Sequence, residues 1–193
     1  IVGVQTTYYF TVATLSVSMA IFLQYLAPAM IVIYSVLFLK ERLSATIVLS
    51  LGISLAGSVF IIFGSGEAAA GSMNIPGLIT GLISAVFLSF YTIFSKTCTA
   101  RMNSWTVLLY ALGCGALLYW FVAPPWILWT SISMKEFLYA CYIAVFATII
   151  PFGLYLSGLR FLSASTGSII AMLEPVVASL SAFLILGESM TII

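Results

Sequence analysis

Residues 26–43 read LAPAMIVIYSVLFLKERL and residues 173–188 read LEPVVASLSAFLILGE. The two stretches superpose without a gap at an offset of 147 residues, which sets Pro28 on Pro175 and Glu41 on Glu188. Continuing the register pairs Tyr8, Leu15, Ser16, Ser18 and Leu26 with Tyr155, Leu162, Ser163, Ser165 and Leu173, and Leu37 and Leu39 with Leu184 and Leu186. Any two apolar helices share leucines, so the prolines and glutamates carry the register. Each copy reads as a short connection, a helix with a proline near its middle, and a closing glutamate.

The composition says where such helices reside. Of 193 residues 63% are hydrophobic and 6% charged, against about 45–50% and about 25% in soluble domains. Eleven charged side chains cannot cover a soluble globule of 20.8 kDa, so the bilayer is the expected partner. Six Lys or Arg against five Glu form no basic stripe, which argues against nucleic acid. The chain has no His and no Asp, which removes most acid, base and metal-ligand constellations. Cys98, Cys114 and Cys141 lack C-x-x-C spacing and read as small hydrophobes. We therefore expect no enzyme, no metal and no cofactor, and without a Walker motif no ATP-driven pump.

Crossing a hydrocarbon core of about 30 Å takes roughly 20 apolar residues. Seven apolar runs are present: 1–15, 18–39, 46–63, 76–94, 105–123, 137–159 and 166–186. They are continuous and far longer than the alternating segments of a barrel, so the expected fold is an all-α integral membrane protein of about seven segments. The small, flexible stretch 64–75 divides residues 1–63 from residues 76–193 and is expected to be an extracytoplasmic linker. Lys40, Arg42, Lys96, Arg101 and Arg160 fall in alternate loops and only Lys135 in the others, which puts residue 1 on the cytoplasmic side of a plasma membrane, here a bacterial inner membrane. Lys96, Arg101 and Arg160 are assigned to topology alone. Trp105, Trp120, Trp126 and Trp129 near run ends suit an interfacial belt. The short first run and the abrupt end suggest a piece of a longer protein.

Between corresponding positions of the two copies the chain crosses the membrane five times, an odd number, so the copies have opposite orientations. Inverted repeats of this kind characterise secondary transporters, which hold substrate near the midplane between the repeats. The same residues, Leu26-Ala27-Pro28 through Leu39-Lys40-Glu41-Arg42-Leu43 and Leu173-Glu174-Pro175 through Leu186-Gly187-Glu188, resemble the two EamA domains of the drug/metabolite transporter superfamily. The resemblance implies ten helices in two inverted five-helix halves. This chain would then hold part of helix 3 and helices 4 to 9, and lack helices 1, 2 and 10. It also implies a carrier of metabolites such as amino acids, sugars or nucleotide sugars. One departure is Lys40, which replaces the usual small residue before Glu41.

Glu174 is the sharpest candidate. Eight residues past Thr166, at about 1.5 Å each, it sits roughly 12 Å into the hydrocarbon. There it must face water, be protonated or meet a cation, which suits proton coupling or a counter-charge for a substrate ammonium. Equally, a neutral Glu174 would serve to bond a carbonyl freed by Pro175. Helical spacing places Gly167, Ala171, Glu174, Ala178 and Ser181 on one face, and Ala20, Gln24, Ala27, Ile31 and Tyr34 on its counterpart. Small stripes also serve helix packing, but Gln24 and Tyr34 carry polar groups that need partners away from lipid. Tyr91, on the stripe Gly77, Gly81, Ser84, Leu88 and Tyr91, and Tyr155, beyond a kink expected at Pro151, would add aromatic walls; interfacial anchoring would also explain Tyr155. Gly77 and Gly81 form a G-x-x-x-G helix contact. Pro28, Glu41, Pro175 and Glu188 are the structural motif, each glutamate pairing with a cation or capping a neighbouring helix.

The expected function is export of small metabolites by alternating access around a central cavity, with proton coupling through Glu174. A lipid-modifying intramembrane enzyme, a channel or a membrane scaffold are the other classes. Without H-E-x-x-H, G-x-S-x-G or T-V-G-Y-G sequences, the first two have little to build on.

Overall fold

The computed structural model describes residues 1–41, 44–64, 74–122, 126, 132–181 and 184, and among these it is helical without a strand. The linker stretch 65–73, most of the 124–129 loop and Glu188 lie outside the described residues. The chain runs through α1 (Val2–Thr14), α2 (Val17–Gln24), α3 (Ala27–Leu37), α4 (Ala45–Gly64), α5 (Ile75–Thr99), α6 (Ser104–Val122) and α7 (Met134–Tyr142). A π-helical segment, Ile143–Ile149, then leads into α8 (Ile150–Phe161), α9 (Ala164–Ala171) and α10 (Glu174–Ser181). Four stretches among the described residues are long and apolar enough to cross a bilayer: Val17–Leu37, Ile75–Thr99, Ser104–Phe121 and Met134–Phe161. A shorter apolar helix covers Ala45–Gly57.

The expected proline-bearing helices are each two helical segments divided by a two-residue turn. α2 stops at Gln24 and α3 starts at Ala27, and at the offset of 147 residues α9 stops at Ala171 and α10 starts at Glu174. The breaks share their geometry, since Tyr25 and Met172 both have φ −69 and ψ −4. In each, two N–H groups tighten onto carbonyls three residues back: Tyr25 to Phe22 and Leu26 to Leu23, Met172 to Ile169 and Leu173 to Ile170. Pro28 and Pro175 have no N–H, so the carbonyls of Gln24 and Ala171, four residues back, lose their helical donor. The starts match too: Ser16 Oγ accepts from the Met19 N–H at 3.2 Å and Ser163 Oγ from the Thr166 N–H at 3.1 Å.

The proline at Pro151 acts differently. No break follows it; the seven residues before it wind as a π-helix, with the Ile150 N–H bonded to the Val145 carbonyl five residues back. A π-turn absorbs what would otherwise be a kink.

α5 is the hub, packed against α1, α2, α3, α6, α8 and α9. Its buried face is Gly77, Gly81, Ser84, Ala85, Ser89, Thr92, Ser95 and Thr99, without one large side chain. Small residues let neighbouring backbones approach closely. A Cβ on Gly77 would meet Thr14 and Leu15 of the α1 end, and one on Gly81 would meet Leu23 of α2. The hydroxyls then bond across: Ser84 Oγ donates to the Val4 carbonyl at 3.3 Å, Ser89 Oγ to the Ala27 carbonyl at 3.2 Å, and Thr80 and Thr11 share a hydroxyl bond at 3.0 Å. Lys96 does more than set topology, because its ammonium donates to the Leu159 and Arg160 carbonyls at 3.0 and 3.1 Å and so closes the C-terminal end of α8. The apolar cluster Val107, Leu108, Leu156 and Leu159 fills the space between α6 and α8. Large apolar side chains cover the outside, Phe161 at 85% and Phe121 at 84% exposure among them, a surface that acyl chains solvate and water does not.

At the end of α3, Lys40 takes φ 54 while the Ser35 carbonyl accepts from both the Leu39 and Glu41 N–H groups at 3.1 Å. This left-handed conformation suits glycine, and the residue one repeat later is Gly187. A lysine there costs about 1–2 kcal/mol.

Two expectations follow for unfolding titrations in mixed micelles. Lys40→Gly raises stability by about 1 kcal/mol. Gly81→Ile lowers it by about 1–3 kcal/mol through overpacking against Leu23, whereas Gly113→Ala, with open space around the added carbon, loses nothing.

Candidate functional site

Both helix breaks open onto one cavity of about 590 Å³, a volume suited to a small organic molecule. The first break contributes Gln24, Tyr25, Ala27 and Pro28, and the second Ala171, Met172 and Glu174. α1 adds Val4, Gln5 and Tyr8, α5 adds Leu88, Tyr91 and Thr92, and the start of α8 adds Pro151, Phe152 and Tyr155. The lining repeats itself at the offset of 147 residues: Val4 with Pro151, Gln5 with Phe152, Tyr8 with Tyr155, Gln24 with Ala171, Tyr25 with Met172 and Ala27 with Glu174.

Local sequence explains how each side chain is held. Gln24 is the last residue of α2, and its Nε2 donates to Ser84 Oγ of α5 at 3.3 Å. Tyr155 shares a hydroxyl bond of 3.4 Å with Thr92, while the Tyr91 and Phe152 rings meet edge to face with centroids 6.3 Å apart. The Tyr91 hydroxyl is buried and has no hydrogen-bond partner among the described residues. Glu174 is the first residue of α10, where the helix dipole favours negative charge. Its carboxylate is exposed and within electrostatic range of the Tyr8 and Tyr25 hydroxyls. No Lys or Arg side chain lines the cavity among the described residues.

Of the residues singled out from sequence, Glu174, Gln24, Tyr91 and Tyr155 come together here. Tyr34 and Ser181 do not: Tyr34 is exposed and stacked on Phe38 at 4.7 Å, and Ser181 is exposed at the end of α10. Tyr34 falls off the buried face of α3, which is made of Ala27, Pro28, Ile31, Val32 and Ser35. Sequence reading passed over Gln5, Tyr8, Tyr25, Thr92 and Phe152. Tyr8 had a signal, its match to Tyr155 in the repeat register. Phe152 follows from the same register only once Gln5 is seen at the cavity.

Glu41 lies outside the cavity and joins the two halves of the chain. Ser165 Oγ, buried in the first turn of α9, donates to Glu41 Oε2 at 2.8 Å. The acid thus meets a helix N-terminus, the favourable end of the dipole.

The profile of the EamA-like transporter family matches residues 1–63 and 75–193. An uncharacterized transporter of Archaeoglobus fulgidus is 25% identical over 96% of this chain and 64% of its own length. An uncharacterized inner membrane transporter of Salmonella typhimurium, YicL, is 26% identical over 98% of this chain and 63% of its own. An uncharacterized transporter of Clostridium kluyveri is 29% identical over 82% of this chain and 52% of its own. A solved crystal structure superposes with a TM-score of 0.73 at 23% identity, covering 98% of this chain and 67% of that one, which is a likeness of fold. The chain is an integral membrane protein that belongs to the EamA-like transporter family. It spans about half to two thirds of the length of these curated relatives.

Removing either partner of the Glu41–Ser165 bond, and then both, gives a double-mutant cycle. We expect Glu41→Ala and Ser165→Ala to couple by about 1 kcal/mol in an SDS unfolding titration.

Proposed function

We propose that the protein is a secondary transporter that exports small metabolites such as amino acids, and that the cavity between two inverted repeats is its substrate site. The observation that carries this reading is the lining: six pairs of residues, each 147 positions apart, face one space. A site built twice from related segments is what alternating access about a pseudo-two-fold axis requires. The matched helix breaks at Tyr25 and Met172 support the same arrangement, and the span count becomes seven when α1, α4 and the α9–α10 pair are each taken as a crossing. On this reading residue 1 is cytoplasmic, residues 64–75 are extracytoplasmic, and the membrane is a bacterial inner membrane.

Glu174 couples the cycle to protons. It is the one carboxylate lining the cavity among the described residues, and the groups around it that can also exchange protons are the hydroxyls of Tyr8, Tyr25, Tyr91 and Tyr155. A carboxylate that is alternately protonated and ionised, or alternately bound to proton and substrate, links the two fluxes. Gln24 and the tyrosines hold the substrate. The lack of His and Asp makes Glu174 the natural carrier of that role.

The test compares the medium of cells expressing the protein, its Glu174→Gln variant or neither. One metabolite is expected to accumulate outside only with the unmodified protein, and a protonophore is expected to stop its release. Equal export by the variant would remove Glu174 from the cycle, and an unchanged medium in every case would overturn export.

A further inference from the structure

We propose that the cavity selects a cationic amine with an apolar body, a class narrower than metabolites at large and one that places zwitterionic amino acids behind amines as its cargo. This inference rests on the cavity being the substrate site of the transporter reading. The repeat pairs six positions of the lining but does not pair their charge. Glu174 corresponds to Ala27 at the offset of 147 residues, so the lining carries a single carboxylate, with no lysine or arginine beside it among the described residues. The carboxylate has no hydrogen-bond partner among the described residues.

The second element is a pair of carbonyls that proline relieves of their α-helical donors. Pro28 and Pro175 strip the Gln24 and Ala171 carbonyls of their helical N–H, and both residues line the cavity. A primary ammonium brings three N–H donors, and a carboxylate with two backbone carbonyls offers four acceptor oxygens, enough for all three. An alcohol brings one donor and no charge; a carboxylate substrate brings none and adds a second negative charge.

The third element is the wall. Tyr8, Tyr25, Tyr91, Phe152 and Tyr155 contribute five rings around the same space. Ring faces attract a cation more strongly where water is excluded. They also give an apolar body a surface to bury, so charge and hydrocarbon of one molecule are recognised by adjoining parts of one cavity. A zwitterionic amino acid satisfies only half of this, since no lysine or arginine among the described lining residues meets its carboxylate.

The test uses four single-ring probes that differ in charge: 2-phenylethylamine, phenylalanine, 3-phenylpropionate and 2-phenylethanol. Each is titrated calorimetrically into the purified full chain in detergent, with no membrane gradient. The amine is expected to bind at least about tenfold more tightly than any of the other three. Glu174→Gln should bring the amine down to the level of the alcohol, and Tyr25→Leu should weaken the amine more than the alcohol. If Glu174→Gln fails to fold, the probe series on the unmodified protein decides alone. Tighter binding of phenylalanine or phenylpropionate overturns the assignment, as does displacement of the amine by sodium chloride while choline chloride has no effect, which would make this a site for an inorganic cation. Metabolite export that persists alongside a preference for the anion defeats the amine assignment and leaves the transporter reading standing. Amine binding without any export does the reverse.

Discussion

The structure depends on close approach along α5. In a bilayer the lipid tails are as apolar as leucine, so helices gain little from hiding hydrocarbon from one another and must associate by packing and hydrogen bonding. α5 supplies both from one face. Its glycines bring the α1 end and α2 to within contact, and its hydroxyls then reach carbonyls and side chains of α1, α2, α3 and α8. A leucine face would hold those helices farther off, and the serine bonds to Val4 and Ala27 would have no reach. The position of the first helix break, and with it one wall of the cavity, follows from Ser89 holding the Ala27 carbonyl.

The cavity is a consequence of where helices stop. A continuous helix satisfies its own backbone and presents only side chains, whereas a broken one presents carbonyls and helix starts as well. Gln24 and Ala171 end one helix each, and Ala27 and Glu174 begin the next. That places polar backbone at depth in an apolar environment, which is tolerated where it is buried in protein or lines a space for water or ligand. The lone acid of the second break is therefore set into backbone already arranged for polar contact.

Much of this was legible in the sequence. The register of Pro28 on Pro175 marked where a helical N–H is missing in each copy, because that is a property of the residue itself, but the reading kept each helix whole. The G-x-x-x-G of Gly77 and Gly81 announced a helix contact, and Glu174 stood out because charge at that depth needs a reason. The end of the stripe was not legible: the row kept Ala20, Ala27 and Ile31 inside but led to exposed Tyr34, while the helix buries Ser35 beside it. Neither was the role of Lys96, since charge patterning sees the loop in which a lysine sits and not the carbonyls within its reach. Tyr25 belonged to no stripe because it sits in the break. The hydroxyl partners of α5 required knowing which helices surround it, which no local pattern encodes.

The π-helical segment Ile143–Ile149 carries a different implication. A helix wound with five-residue closures turns less per residue than an α-helix, so the side chains on either side of it are out of phase with an unbroken α count. Phe152 and Tyr155 face the cavity with that offset in place, and Ala147, inside the segment, faces it too. The first part of this long helix, from Met134, is exposed almost throughout. The winding state of seven residues thus acts as an angular setting between an exposed shaft and two aromatic side chains of the cavity wall. Rewinding those residues to the α form would turn the rings about the helix axis and lengthen the segment between them and Met134.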